Sequence, residues 1–273
     1  MKPFKLGLLG YGKMGKALVD GLITQGFLDE ANLYIYSPNS SPKALKDHPL
    51  INVCLDARTM CDHSDLILLA VKPQVLPSAI FELREHLKHK AIISIAAGIS
   101  TESLIAMVDP STQVLRVMPN LAVEVQKGVV LLSKSHTLDK DNLNICAVMF
   151  SKLGLVQLID EDKMDIGSVL IGSGPAFVAY FINALKLGAA GQFSDEEALS
   201  MLYQTVIGTV TYLQENQIHP NELITRVCSP NGSTIEGIKA LREDEVESQI
   251  VHAIQESEAR TKALGRINFV KKE

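Results

Sequence analysis

Three glycines follow a short apolar segment near the start of the chain and could bind a dinucleotide phosphate. Residues 4–9 are mainly apolar, residues 10–15 are Gly10-Tyr11-Gly12-Lys13-Met14-Gly15, and apolar residues recur at helical spacing over 16–23. In a strand–turn–helix unit, the first glycine permits the tight turn and the second lets a pyrophosphate approach the backbone. The third lets helix and strand pack closely, and the helix N-terminus offers unpaired N–H groups. The spacing predicts a nucleotide-binding turn, and a glycine-rich turn without a ligand is the alternative.

The residues after the expected second strand bear on the choice of cofactor. An Asp or Glu about 20 residues after the glycines normally binds the ribose hydroxyls of NAD. Residues 37–41 are instead Ser-Pro-Asn-Ser-Ser, so no carboxylate there repels a 2′-phosphate. Ser37 and Asn39 are the candidate contacts, and the loop favours NADP(H), with NAD as the second candidate. A solvated turn with helix-capping serines is the alternative.

Alternating apolar runs and helical patterns must position these residues. The runs cover 33–36, 51–55, 65–71, 91–97, 114–118, 128–133 and 155–159, with a helix expected over 139–153. This alternation predicts a doubly wound, mostly parallel sheet of the Rossmann type. Ligands bind at the carboxyl ends of such strands. The candidate cofactor contacts at these ends are Ala70, Val71, Lys72, Pro73, Ala97, Gly98 and Asn120.

The pattern changes near residue 160, where strand-like runs end and long helical patterns begin. Polar breaks fall at 194–195, 219–221 and 229–232. We therefore expect a dinucleotide-binding domain over 1–160 and an all-helical domain over 161–273. An all-helical segment of this length buries its own core only thinly, so a second copy of the chain is expected to cover it in a homodimer.

Composition excludes several classes of protein. The chain has 273 residues, 47% of them hydrophobic and 21% charged, and a net charge of -5, which gives no indication of a nucleic-acid surface. The first apolar run is expected to be a strand and not a signal peptide, and no apolar run is expected to span a bilayer. The histidines show no ligand spacing, so no metal is expected. Four scattered cysteines without a CxxC pair indicate buried or half-buried thiols in a reducing cytoplasm.

Six motifs in this order carry a resemblance to a known family. They are residues 10–15, Ala70-Val71-Lys72-Pro73-Gln74, Ala96-Ala97-Gly98, Arg116-Val117-Met118-Pro119-Asn120, Gly172-Ser173-Gly174-Pro175-Ala176-Phe177 and residues 227–235. Over essentially the whole chain, the set resembles the pyrroline-5-carboxylate reductases, and the last two motifs are the specific ones. The resemblance implies NAD(P)H-dependent reduction of 1-pyrroline-5-carboxylate to L-proline, the last step of proline biosynthesis. It also implies a homodimer with interlocking helical domains, which in some members assembles further.

The resemblance also assigns site residues. It implies that the hydroxyl of Thr234 holds the substrate, beside the backbone of Gly232 and Ser233, where N–H groups at a helix N-terminus can bind a carboxylate. A plain Ser/Thr cap is the alternative for this loop. The resemblance further implies substrate contacts at Glu161 and at the turn formed by Ser173, Gly174 and Pro175. A plain turn with Pro175 in the first turn of a helix is the alternative.

The chain departs from the family pattern at four positions. Asp56 stands where an asparagine usually contacts the cofactor, Leu121 follows Asn120, Ile171 replaces a serine, and Asn231 replaces a glycine. Asn tolerates left-handed backbone angles better than most residues, so the 229–234 loop is expected to keep its form. Two alternatives remain: a related imine or β-hydroxyacid reductase with another substrate, and a dinucleotide-binding regulatory paralogue.

Overall fold

The computed structural model describes residues 4–38 and 48–266, which pack as two compact units. One unit comprises the described parts of Met1–Ser173 and Ser257–Glu273, and the other comprises Gly174–Glu256. The bounds of these units differ from those of the expected domains 1–160 and 161–273, because residues 161–173 and 257–266 pack with the first unit. The two domains therefore stay a prediction.

Within the described residues, the first unit is built on one sheet of eight strands. They are β1 (Leu6–Leu9), β2 (Leu33–Tyr36), β3 (Asn52–Val53), β4 (Leu66–Leu69), β5 (Ala91–Ser94), β6 (Gln113–Pro119), β7 (Gly128–Ser133) and β8 (Gly154–Ile159). The spatial order is β3-β2-β1-β4-β5-β6-β7-β8, and every pair is parallel except β6 with β7. The order reverses direction between β1 and β4, so the carboxyl ends of these two strands form a topological switch point.

Helices pack on the sheet and explain the apolar runs of the central strands. They are α1 (Lys13–Thr24), α2 (Ala57–Asp62), α3 (Leu76–Leu83), α4 (Thr101–Met107), α5 (Lys140–Ser151) and α6 (Met164–Ser168). β1, β4 and β5 are buried along their whole length, as expected for strands covered on both faces. One buried cluster includes Leu8, Leu18 and Phe150, and a second includes Leu69, Ile80 and Ile92. The predicted mostly parallel, doubly wound sheet is confirmed.

The second unit is helical, as predicted. Its elements are α7 (Gly174–Gly188), α8 (Asp195–Asn216), α9 (Pro220–Val227), α10 (Ser233–Glu243) and the greater part of α11 (Val246–Arg266). The predicted breaks coincide with helix starts. Ser194 and Glu197 form a reciprocal capping box before α8, and Pro220 occupies the first turn of α9, where its missing N–H costs nothing.

One helical stretch is apolar enough to meet the length and composition test for a membrane span. Among the described residues, the helical stretch Glu161–Gly188 is long and apolar enough to cross a bilayer. Its most apolar part has a mean hydropathy of 1.5, and 11% of that part is buried. The expectation that no apolar run reaches this length is therefore wrong. A single such helix is weak grounds for a membrane segment, because helices of soluble proteins pass the same test.

The end of α11 packs against the loop after β5 through two glycines. A Cβ on Gly265 would lie 2.1 Å from the carbonyl oxygen of Gly98, and a Cβ on Gly98 would lie 2.8 Å from the carbonyl oxygen of Thr261. Gly98 also has a φ of +76°, which favours glycine. The last turns of α11 therefore pack against the first unit through a close contact between main-chain atoms.

Candidate active site

The glycine turn lies at the switch point of the sheet. Gly10 has a φ of +98°, and its N–H donates to the carbonyl oxygen of Tyr36 at 2.9 Å. The N–H of Ala70, just after β4, donates to the carbonyl oxygen of Leu9 at 2.8 Å. A Cβ on Gly10 would lie 2.8 Å from the oxygen of Ala70 and 3.0 Å from Val71 Cγ1. The first glycine is therefore required by both the backbone angle and the close approach of residues 70–71.

The other two glycines of the turn have different surroundings. A Cβ on Gly15 would lie 2.5 Å from the oxygen of Gly10, so this glycine lets α1 pack tightly against the turn. For Gly12, no atom of the described residues lies within 4 Å of the Cβ position, and its φ of -79° is ordinary. The space beside Gly12 is open, and no side chain caps α1 there. This arrangement fits a pyrophosphate held by the first N–H groups of α1, which belong to Lys13 and Met14.

Tyr11 supplies backbone to the turn while its side chain faces inward. The ring is 4% exposed, and its hydroxyl donates to Asp20 Oδ1 at 3.2 Å. Asp20 also pairs with Lys16 one turn earlier on α1 and with His48 Nε2 at 3.4 Å. The side chain of Tyr11 is thus fixed against α1.

The ends of β2 and β3 flank the same turn. Ser37 follows Tyr36 directly, whereas the candidate contact Asn39 lies outside the described residues. Asp56, after β3, caps α2 by accepting a hydrogen bond from the Thr59 N–H at 2.7 Å, which holds the pKa of its carboxyl below the ordinary value. Asp56 is therefore ionised at neutral pH and exposed at this edge.

The loop after β4 contributes backbone more than side chains. Lys72 is exposed, and its carbonyl oxygen accepts hydrogen bonds from Val75 at 2.9 Å and Leu76 at 3.2 Å as α3 begins. Pro73 lies within this turn. The structure therefore agrees with an arrangement in which residues 70–73 present main chain to a ligand.

Asn120 and residues 97–98 lie beyond β6 and β5. Asn120 is 8% exposed, and its Oδ1 accepts a hydrogen bond from the Val129 N–H at 3.0 Å. Within the described residues, its Nδ2 group makes no hydrogen bond to protein and can serve as a donor. Ala97 is half-buried. At Gly98, the close neighbour in this structure is the backbone of α11.

Glu161 lies in a cluster of hydrogen bonds with Arg116 at its centre. Arg116 is 4% exposed and donates from Nη1 to Glu161 Oε1 and from Nη2 to Asp165 Oδ1, both at 2.7 Å. Glu161 also accepts from the Thr101 N–H at 3.0 Å, from Thr101 Oγ1 at 2.9 Å and from Ser133 Oγ at 2.5 Å. Both carboxylate oxygens are thus engaged by protein. A substrate contact at Glu161 stays a prediction, and the structure gives this residue a second role in joining elements.

The cluster makes acid stability depend on Glu161. Burial by itself raises the pKa of Glu161, but hydrogen bonds from Ser133, Arg116 and Thr101 together with the Arg116 charge outweigh it, and the net pKa is lowered. A carboxyl with a lowered folded-state pKa stabilises the protein above its ordinary value of 4.5, and this contribution is lost as the pH falls below that value.

We therefore expect Glu161→Gln to reduce the dependence of stability on pH. The free energy of unfolding of the unsubstituted protein should fall more between pH 5 and pH 3 than that of the variant, as measured by urea unfolding at each pH. Glu215→Gln is the control, because Glu215 is exposed and makes no hydrogen bond or ion pair with any described residue. An equal fall in unfolding free energy for the unsubstituted protein and Glu161→Gln would contradict the expectation.

The 229–234 loop forms a tight turn into α10. The Gly232 N–H donates to the Ser229 carbonyl oxygen at 3.0 Å, and a Cβ on Gly232 would lie 2.4 Å from Ser229 Oγ. Asn231 has a φ of +58°, so the expected left-handed angle at this departure from the family pattern is confirmed. Gly232 precedes α10 as its N-cap and supplies no side-chain hydrogen bond.

Thr234 lies in the first turn of α10, at an apolar cavity of ≈ 300 Å³. Its hydroxyl makes no hydrogen bond with any described residue, unlike those of Thr205 and Thr225, which bond back to their own helices. The cavity wall includes Leu213, Ile224 and Cys228. Ser233 is exposed beside it. A free hydroxyl, a helix N-terminus and an apolar cavity can together accommodate a small, partly apolar carboxylate.

Residues 172 and 173 are helical, where the sequence led us to expect a turn, and Pro175 lies in the first turn of a helix. α6 is followed directly by a π-helical turn over Val169–Ser173 and then by α7, with Pro175 as its second residue. Proline removes the N–H that would bond to residue 171 and crowds that carbonyl, so the helix widens before it. Such π turns are frequent at functional sites. Within the first unit, Met118 Cε lies 2.7 Å from the position of a Cβ on Gly172.

The described residues contain no cluster of metal-ligating side chains, and their cysteines are free thiols. No group of three or more His, Cys, Asp or Glu side chains in this part of the chain is placed to hold a metal ion. Cys61 and Cys146 are buried, which raises the pKa of each thiol to about 12, and Cys54 and Cys228 are half-buried. The expected buried or half-buried free thiols are confirmed.

Sequence reasoning did not single out Arg116 or Asp165 as site residues. The available signal was an arginine in the middle of the apolar strand β6, because a buried guanidinium needs carboxylate partners. Glu161 and Asp165, four residues apart and so on one face of a helix, were suitable partners.

A nucleotide-binding turn at the switch point of this sheet, followed by a helical unit, defines a dinucleotide-dependent oxidoreductase. Residues 161–264 match the family model for pyrroline-5-carboxylate reductase dimerisation, and residues 5–98 match the model described as NADP oxidoreductase, coenzyme F420-dependent. The chain belongs to the pyrroline-5-carboxylate reductase family, as the sequence motifs indicated.

Individual relatives cover nearly the whole chain. The pyrroline-5-carboxylate reductase of Aquifex aeolicus is 33% identical over 261 residues, covering 95% of this chain and 97% of the relative. That of Methanosarcina acetivorans is 34% identical over 271 residues, covering 97% and 100%. A crystal structure of Plasmodium falciparum pyrroline carboxylate reductase with NADP bound matches with a TM-score of 0.89 at 27% identity, covering 97% of this chain and 99% of that one.

Proposed function

We propose that this protein reduces 1-pyrroline-5-carboxylate to L-proline with NAD(P)H, the last step of proline biosynthesis. The observation that carries this function is the similarity to pyrroline-5-carboxylate reductases over 95 to 97% of the chain. Both the glycine turn and the 229–234 loop fall within that span. The protein is accordingly an oxidoreductase that acts on a C=N bond.

The chemistry asks little of acid–base side chains. A protonated cyclic imine is already electrophilic, so the protein has mainly to hold the imine carbon and the nicotinamide face to face and away from water. The cofactor, when bound, supplies the hydride. The protein's own residues bind the carboxylate, hold the ring nitrogen and orient both partners.

The cofactor site that we propose follows the carboxyl ends of the strands. The open space at Gly12, the close approach at Gly10 and Gly15 and the uncapped start of α1 fit the pyrophosphate of NADP(H). Ser37 and Asn39 would bind near the ribose, and Asp56 would lie on that side. Main chain of the loop after β4 and the small residues after β5 would lie along the cofactor, with the Asn120 amide as a donor. The full set is Gly10, Tyr11, Gly12, Lys13, Met14, Gly15, Ser37, Asn39, Asp56, Ala70, Val71, Lys72, Pro73, Ala97, Gly98 and Asn120.

The substrate contacts that we propose centre on Thr234. Its hydroxyl has no protein partner among the described residues and would bond to the ring nitrogen. The Ser233 N–H at the start of α10 would bind the carboxylate, with the backbone of Gly232 beside it. Ser173, Gly174 and Pro175 are the further proposed contacts. The π turn that ends at Ser173, directly before α7, supports this role, because it breaks regular helical hydrogen bonding at this point.

The test is NADPH oxidation, followed by its absorbance, when purified protein meets 1-pyrroline-5-carboxylate, with proline identified as the product. NADH is measured in parallel, and we expect the higher kcat/KM with NADPH. Proline formation supports the proposal. Turnover of another imine or of a β-hydroxyacid alone would favour a related reductase. Dinucleotide binding without turnover would favour a regulatory paralogue.

Asp56 provides a prediction about cofactor affinity. Its ionised carboxyl would repel the phosphates of NADPH, and asparagine keeps the oxygen that caps α2 while removing the charge. We expect Asp56→Asn to lower the KM for NADPH about threefold, as like charges several ångströms apart interact weakly in water. Steady-state kinetics at low and high salt measure this, and the gain should shrink in salt. A KM that does not change at low salt would remove Asp56 from the cofactor site.

We propose that the working form is a homodimer in the cytoplasm, with a small-molecule substrate and without nucleic acid or membrane as partners. The helical unit exposes large apolar side chains, among them Val178, Tyr180, Leu185 and Ile207. α7 has no buried residue in the single chain. Exposed apolar area on this scale favours burial against a second copy. The match of residues 161–264 to a dimerisation family supports the same partner.

Tyr180 is a suitable residue for testing the dimer. It is 71% exposed and, with Phe177 and Ile250, lines an apolar cavity of ≈ 390 Å³. We expect Tyr180→Glu to weaken dimerisation about tenfold, because a buried unpaired carboxylate is costly. Light scattering over a dilution series measures this, with Gln192→Glu as a control at an exposed polar position. A monomer for the unsubstituted protein at micromolar concentration would refute the dimer.

A further inference from the structure

The buried arginine of β6 contacts a helical segment at two carboxylates. Arg116 reaches Glu161, just before α6, and Asp165, within α6, through separate nitrogens of one guanidinium. Glu161 is held in addition by the first residue of α4, Thr101, and by the last residue of β7, Ser133. The cluster therefore joins residues 161–165 to two strands and one helix of the first unit.

The same face of β6 meets the end of that helical segment. Side chains two residues apart lie on one face of a strand, so Arg116 and Met118 share a face of β6. Met118 packs against Gly172, where a Cβ would lie 2.7 Å from Met118 Cε. One strand thus contacts the segment 161–173 near its beginning through Arg116 and near its end through Met118.

A guanidinium bridging two carboxylates fixes the rotation of a helix better than apolar contact does. Glu161 and Asp165 are four residues apart and so project from one side of the segment. The planar fork of arginine binds both at defined positions, whereas a rotation of the helix by one residue turns them away by about 100°. Apolar side chains would tolerate such a shift, since their attraction has no direction.

We propose that Arg116 is a positioning residue for the reductase reaction: by bridging Glu161 and Asp165 it sets the rotation of residues 161–173 and so the place of Ser173. Arg116 acts through this segment and touches neither substrate nor cofactor. The inference rests on the proposed function, because Ser173 is a proposed substrate contact.

Asp165→Ala tests this without leaving a buried charge unpaired, since Arg116 keeps Glu161. Arg116→Lys is the second variant, because lysine keeps the charge but lacks the fork that binds two carboxylates. For both we expect a KM for 1-pyrroline-5-carboxylate raised at least fivefold, with the Kd for NADPH changed less than twofold. Asp165→Asn keeps an acceptor oxygen for Arg116 Nη2, so its KM should lie closer to that of the unsubstituted protein than the KM of Asp165→Ala does. A loss of stability alone would lower the active fraction and leave KM unchanged.

Hydrogen exchange provides a readout that does not depend on turnover. We expect at least tenfold faster amide exchange over residues 164–173 in Asp165→Ala, with α1 unchanged as the internal reference. Asp160→Ala is the matched control, as Asp160 makes only exposed pairs with Lys134 and Lys163 at the same end of the segment. It should match the unsubstituted protein in both measurements.

The outcomes separate the two proposals. If the unsubstituted protein does not reduce 1-pyrroline-5-carboxylate, the proposed function is wrong, and the exchange rates still decide whether Arg116 fixes the segment. If the unsubstituted protein is active and both variants keep its KM, Arg116 has no positioning role. Unchanged exchange over 164–173 in Asp165→Ala would overturn the inference in either case.

Discussion

Gly12→Ala is expected to raise the Kd for NADPH at least about thirtyfold while the protein stays as stable as before. Alanine adds one methyl group at a position where no described atom lies within 4 Å, and the φ of -79° suits it. The substitution should therefore leave the stability of the fold unchanged. In the proposed complex, however, that space holds pyrophosphate oxygens, and displacing them weakens charge-assisted hydrogen bonds worth about 2 kcal/mol each.

Gly15→Ala is the informative contrast. Its Cβ would lie 2.5 Å from the Gly10 oxygen, so α1 would have to move away from the turn. Such overpacking costs about 1 to 3 kcal/mol of stability. We therefore expect Gly15→Ala to lower both stability and NADPH affinity, and Gly12→Ala to lower affinity alone.

Both quantities can be measured directly. The chain has no tryptophan, so the fluorescence of NADPH itself reports binding with little protein background. Thermal unfolding gives the stability of each variant. If Gly12→Ala binds NADPH as well as the unsubstituted protein, the pyrophosphate does not lie at this turn and the cofactor site must be reassigned.

Thr234→Ala is expected to reduce kcat/KM for 1-pyrroline-5-carboxylate about 10- to 100-fold with NADPH binding intact. The hydroxyl has no protein partner among the described residues, so its removal breaks no internal hydrogen bond. The loss should fall on the substrate, where one hydrogen bond contributes about 1 to 3 kcal/mol when the group left behind is buried and unpaired.

Two further variants serve as comparisons for Thr234→Ala. Thr234→Ser keeps the hydroxyl and should retain most of the activity. Thr225→Ala is the matched control, because the Thr225 hydroxyl only bonds back to Asn221 on its own helix at 3.0 Å. Turnover by Thr234→Ala equal to that of Thr225→Ala would show that the threonine serves only as part of the helix start.

The sheet could be predicted from the sequence because local patterns specify it. Unbroken apolar runs marked β1, β4 and β5, and the glycine spacing placed the turn after β1. Capping residues such as Ser194 marked helix starts in the second unit. These signals are short-range, since each depends on residues close together in the sequence.

Contacts between distant segments could not be predicted in the same way. The pairing of Arg116 with Glu161 joins residues 45 apart, and nothing in either local pattern selects the partner. Residues 172–175 suggested a turn with Pro175 in the first turn of a helix. Pro175 does lie in the first turn of α7, but a π-helical turn precedes it, because helix continues on both sides. The sequence marked Asp56 only as a carboxylate in place of an asparagine that usually contacts the cofactor, and its bond to the Thr59 N–H identifies it as a helix cap.

The glycine contact between α11 and the β5 loop has a consequence for how the protein is made. Gly98 is synthesised early, but its partner Gly265 lies near the end of the chain. Domains generally fold as units during translation, from the N-terminal end. Here the sheet can assemble early, yet the nucleotide-binding unit stays incomplete until α11 has left the ribosome. A fragment ending at residue 173 would therefore expose the surface around Gly98.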